Sequence, residues 1–115
     1  MPTYCFDLDD TICFPNHQEI STDLKYGAAT PNLGVIRILR KLKNQDHKII
    51  IHTARRMLTH NGDLKEILKD VADVTIKWLR DHNVPYDELI FGKPYADFYV
   101  DDKGMSLTDF QIKYK

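Results

Sequence analysis

Three carboxylates, Asp7, Asp9 and Asp10, follow directly on the apolar run Tyr4-Cys5-Phe6. A second acidic pair, Asp101 and Asp102, closes another apolar stretch, "ADFYV". Between these clusters, Thr53, Arg55 and Arg56 follow "KIII", and Lys93 follows "ELIFG". Crowded carboxylates repel, and some must take up protons unless a cation joins them. A donor set of carboxylate oxygens calls for a hard ion, Mg²⁺ rather than Zn²⁺. Mg²⁺ normally keeps several waters beside one or two protein carboxylates and a phosphate oxygen. The hydroxyl of Thr53 and the charges of Arg55, Arg56 and Lys93 suit the other oxygens of a phosphate. A carboxylate free to attack such a phosphate would form an aspartyl phosphate.

These residues can meet only if the elements before them end together. "TYCFDL" (3–8) predicts a short buried strand. "KIIIHT" (48–53) is a β-branched run and predicts another. "ELIFG" (88–92) and "ADFYVDD" (96–102) predict a third and a fourth. Thr30 and Pro31 read as the cap and first turn of a helix carried to about Asn44 by Leu33, Ile36, Leu39 and Leu42. Leu64, Ile67, Leu68, Val71, Thr75, Trp78 and Leu79 mark a second, longer helix that stops before Pro85. Residues 12–29 show no period and read as a loop or small flap, and 54–63 as a polar loop. The tail "SLTDFQIKYK" reads as a short helix or an edge segment.

Strand and helix alternate, which is the pattern of an open α/β sheet with mostly parallel strands, and the continuous apolar runs predict cover on both faces. Residues 93–95 are too few for a crossover helix between the last two strands. Ligands of such sheets bind beyond the carboxyl ends of the strands. Four separate strand ends would then deliver acids, a hydroxyl and bases to one edge.

The bulk numbers agree. The chain has 115 residues, enough for one domain with its own core, read as residues 1–115. Net charge is −1, so nothing in it argues for a nucleic acid or an anionic membrane as partner. Cys5 and Cys13 form no CxxC pair, and reduced thiols in a cytoplasmic protein are the reading. No run approaches the roughly 20 apolar residues of a membrane span. The N-terminal stretch has neither the basic start nor the apolar centre of a signal peptide.

The motifs also resemble a known family. "DLDDT" (7–11), "IIIHTAR" (49–55), "GKP" (92–94) and "DFYVDD" (97–102) resemble, in order, the four signatures of the haloacid dehalogenase superfamily of phosphohydrolases. The resemblance implies a single Rossmann-like, three-layer α/β domain with a mostly parallel sheet and a minimal or absent cap. It implies a Mg²⁺-dependent phosphomonoesterase. Asp7 would be the nucleophile, and Asp9 the acid that protonates the leaving oxygen and then the base that activates water. Thr53 and Lys93 would hold the phosphate, with Arg55 and Arg56 as further substrate contacts. The ion would sit on the Asp7 side chain, the Asp9 backbone carbonyl and Asp102, with Asp101 orienting a metal-bound water or taking the place of Asp102. Lys77 rivals Lys93 on spacing. "TARRM…GKPYADFYVDDKG" further resembles short members described as capsule-biosynthesis phosphatases, which implies a phosphorylated sugar or nucleotide-sugar precursor as substrate. Without a cap, the site would be open or covered by another subunit of a homo-oligomer. Phosphotransfer to another acceptor, and a catalytically silent binding module, are the alternatives.

Several residues have plainer readings. Asp10 reads as solvated or capping, and Thr11 as shaping the loop. His52 reads as a core or supporting residue before Thr53, and Cys5 as core of the first strand. Cys13 is incidental, and Trp78 belongs to the apolar stripe of its helix.

Overall fold

The computed structural model describes residues 2–114. In chain order these form β1 (Thr3–Asp7), β2 (Cys13–Phe14), a single π-helical turn (Asp23–Gly27), β3 (Thr30–Pro31), α1 (Leu33–Asn44), β4 (Lys48–Thr53), α2 (Leu64–Asp81), β5 (Glu88–Phe91) and α3 (Leu107–Lys113). The main sheet is parallel, in the order β1-β4-β5. Its register places Tyr4 beside Ile49, Phe6 beside Ile51 and Asp7 beside His52, and then Thr53 beside Phe91.

That register puts Phe6, Ile49 and Ile51 on one face, because side chains alternate along a strand. There they join Val35, Ile36, Leu39 and Leu42 of α1, Trp78 and Leu79 of α2, and Phe110 of α3 in one buried cluster. The apolar runs predict cover on both faces; the cover seen is unequal. On the other face Cys5 is exposed, Ile50 is half-buried and Ile90 is 46% exposed. Cys5 is therefore not the core residue its strand suggests.

Two helix starts illustrate what local sequence decides. Asp63 caps α2, its carboxylate accepting from the Lys65 and Glu66 amides. The cap of α1 is Asn32, not Thr30 as expected. Its side-chain oxygen accepts from Val35 N, and its amide nitrogen donates to the Thr11 carbonyl. Thr30 and Pro31 instead pair antiparallel with Phe14 and Cys13. The loop predicted over 12–29 thus holds a two-stranded ribbon and a helical turn, anchored to α2 where Trp78 Nε1 donates to the Ala29 carbonyl at 3.0 Å.

The expected fourth strand is absent. Residues 96–102 pair with no strand, Phe98 is 85% exposed and Val100 93% exposed. Side chains satisfy the backbone locally instead. Tyr99 Oη donates to the Pro94 carbonyl and accepts from the Ala96 amide, and the Asp101 carboxylate accepts from the Lys103 and Gly104 amides. Such bonds compete with a sheet ladder. β1 consequently has a strand on one side only among the described residues.

Candidate active site

Asp7 ends β1 and Thr53 ends β4, in neighbouring strands. After β5 the chain turns at Gly92, whose φ of +94° lies in the region where glycine is at ease. The turn carries Lys93 back across β4, and its amide donates to the Thr53 carbonyl at 3.1 Å. Lys93 Nζ then stands 3.4 Å from Asp7 Oδ1 and 4.1 Å above the centre of the Tyr99 ring. Lys77 takes no part. It lies on the exposed side of α2, bonded to Asp81 at 2.7 Å. Burial pushes the Asp7 carboxyl above its ordinary value, and Lys93 followed by His52 pulls it only part of the way back. Burial and Lys93 together hold His52 below its ordinary value.

After Asp7 the chain folds tightly. The Leu8 carbonyl accepts from the Thr11, Ile12 and Cys13 amides, and Asp10 sits at φ 63°. A left-handed backbone costs a residue with a Cβ on the order of 1 kcal/mol, and Arg56, at φ 61°, bears a similar strain. The fold turns Asp9 inward to Arg55. Arg55 Nη2 donates to Asp9 Oδ1 at 2.8 Å, and Nε donates to both Asp9 oxygens, at 3.1 and 3.0 Å. Nη1 donates to Thr75 Oγ1 at 2.8 Å, and the guanidinium lies 4.2 Å above the Tyr26 ring. Arg55 is only 3% exposed, so it faces Asp9 and the protein interior rather than an incoming substrate.

Thr53 is also buried, and its hydroxyl oxygen accepts from the Arg55 amide at 3.0 Å. Its proton meets no acceptor among the described residues. Arg56 lies near the flap, 3.4 Å from Asp70 and with its guanidinium carbon 5.2 Å from the centre of the Tyr26 ring. Asp70 also accepts from Thr22 Oγ1 and bonds His60 Nε2 at 2.9 Å. This network joins the flap to α2.

The structure therefore brings together Asp7, Lys93, Asp9, Arg55 and Thr53, but not Asp101 or Asp102. Asp101 caps its own loop, and Asp102, 85% exposed, pairs with Lys103. Among the described residues no three His, Cys, Asp or Glu side chains gather as a metal cage. The residue types suit a hard cation, but their placement here does not form its site.

No family model and no curated protein matches the sequence. Solved structures do. A chain of the Pnkp1/Rnl/Hen1 complex is 20% identical with a TM-score of 0.60, over 88% of this chain and 31% of that one. The D,D-heptose 1.7-bisphosphate phosphatase from B. bronchiseptica, solved with magnesium and phosphate, is 17% identical with a TM-score of 0.53, over 91% of this chain and 54% of that one. Both likenesses are of fold alone, a Rossmann-like α/β fold of the haloacid dehalogenase-like type. A crystallised target protein from Vibrio cholerae is far nearer, 34% identical with a TM-score of 0.83, over 96% of this chain and 88% of that one. The chain belongs to that protein's family.

Within that fold, sequence reasoning passed over Tyr26, Asp70 and the supporting role of Cys13, whose thiol lies 3.5 Å from Asp9 Oδ1. Thr75 did leave a trace. A hydroxyl on the buried stripe of an amphipathic helix needs a partner, and here the partner is Arg55.

Proposed function

We propose that the chain is a phosphomonoesterase working through an aspartyl phosphate. The carrying observation is the contact of Lys93 with Asp7 at one strand end, with Asp9 held at the turn immediately after it. Asp7 attacks phosphorus, and the P–O bond to the alcohol breaks as that oxygen takes a proton from Asp9. Asp9 then removes a proton from water, which attacks the same phosphorus, releasing inorganic phosphate and restoring Asp7. Lys93 balances charge on the phosphoryl oxygens, and Thr53 and Arg56 supply further donors. Arg55 serves through Asp9 instead of meeting the substrate.

Magnesium belongs to this proposal, and the magnesium and phosphate in the B. bronchiseptica phosphatase support it. Asp7, the Asp9 carbonyl and Asp102 would hold the ion once residues 96–102 run beside the open edge of β1, with Asp101 beside them. Magnesium with inorganic phosphate should then slow amide exchange across both segments. Unchanged exchange would remove the ion from the proposal.

A phosphorylated sugar or nucleotide-sugar precursor of a surface polysaccharide is the proposed substrate, on the strength of the "TARRM…GKPYADFYVDDKG" resemblance, and the two free cysteines support a cytoplasmic setting. The separation of Asp102 from Asp7 favours one other reading, a binding module without turnover. Phosphate release from p-nitrophenyl phosphate, with magnesium and with EDTA, separates the two. Asp7→Asn should lower turnover by roughly 10⁴-fold in a folded protein; full activity in that variant would exclude Asp7 as nucleophile.

A further inference from the structure

Arg55 is the most deeply placed charge in the molecule's described part that touches a proposed catalytic group, its side chain being 0% exposed. A buried guanidinium without a partner is costly, so each of its donors should have a fixed task. Those tasks are visible. The fork grips Asp9, Nη1 donates to Thr75 from α2, and the Tyr26 ring from the flap lies 4.2 Å from the guanidinium carbon. Three segments distant in sequence thereby set one side chain.

The grip on Asp9 is unequal. Oδ1 accepts from Nη2 at 2.8 Å and Nε at 3.1 Å, and the Cys13 thiol lies at 3.5 Å. Among the described residues Oδ2 accepts from Nε alone, at 3.0 Å. One oxygen is anchored, and the other keeps a lone pair for another partner. The Asp9 side chain is 22% exposed, so the carboxylate is not sealed inside.

We infer that Arg55 is a positioning residue, with Thr75 as its support, that presents Asp9 Oδ2 as the oxygen exchanging a proton with the leaving group and then with water. The inference rests on the phosphatase reading above and concerns the orientation of Asp9 within it. A carboxyl loosely placed should still permit cleavage of esters whose alcohol leaves unaided. It should fail with those whose alcohol needs the proton, because proton donation contributes about 10²–10⁴-fold there.

The test compares p-nitrophenyl phosphate, a good leaving group, with a simple alkyl phosphate in wild type, Arg55→Lys and Thr75→Val, each checked for folding by circular dichroism. Arg55→Lys keeps the charge and loses the fork. It should lose about 100-fold in kcat on the alkyl ester and far less on the aryl ester. Thr75→Val should show the same selectivity at about tenfold, and it decides the matter if Arg55→Lys does not fold. Equal losses on the two esters in a folded variant would overturn the inference while leaving the phosphatase reading intact. A wild type inert towards both esters would overturn that reading, and this inference with it.

Discussion

Lys93 Nζ stands 3.4 Å from Asp7 Oδ1 although Asp7 ends β1 and Lys93 follows β5, strands that are not neighbours in the sheet. β4 lies between β1 and β5, and the Lys93 amide spans it by bonding the Thr53 carbonyl. One cation is thus carried across the sheet edge to a carboxylate that burial would otherwise tend to protonate.

Removing that cation should cost turnover. Lys93→Ala is expected to lower kcat about 10²-fold. Asp7 must be ionised to attack, and Lys93 lowers the pH at which it ionises. The acid limb of the pH–rate profile should therefore move to higher pH in this variant. Lys77→Ala should leave both rate and profile unchanged, since Lys77 is bonded to Asp81 on the surface of α2.

The Asp70 network should appear in acid stability. Burial raises the Asp70 carboxyl, but the bonds from His60 and Thr22 and the charge of Arg56 outweigh it, and the net value lies below the ordinary 3.8. The folded chain therefore binds this proton more weakly than the unfolded chain. The stabilisation is whole above 3.8 and is lost as pH falls through the lower, folded value. Urea midpoints measured down the acid range should fall less steeply for Asp70→Asn than for wild type.

The two cysteines should differ in reactivity. Burial, then the Asp9 charge, pushes the Cys13 thiol up to about 12, so it stays protonated at neutral pH. Cys5 is exposed on the open face of β1. A thiol reagent should label Cys5 in the native protein and reach Cys13 only on unfolding. Mass mapping of the labelled peptides checks this.

Trp78 holds the flap to the helical layer. Trp78→Phe leaves the Ala29 carbonyl without its buried donor and leaves space beside His82, whose ring stacks 4.1 Å away. The expected loss is about 2 kcal/mol, read from the denaturation midpoint.

Sequence alone determined the elements whose cause is local. β4 is a β-branched run, α2 begins at a capping Asp63 and ends before Pro85, and α1 follows its apolar spacing. Sequence order also placed Asp7, Thr53 and Lys93 after strands, where an open parallel sheet gathers such residues. Tertiary structure decided the rest. Whether Arg55 faced solvent or Asp9, and whether Lys93 or Lys77 reached Asp7, depended on partners 46 and 86 positions away along the chain. Spacing within one segment carries no record of such distances. The stretch 96–102 has the composition of a strand, yet a strand exists only through the bonds of its neighbour, and here Tyr99 and Asp101 satisfy that backbone at short range.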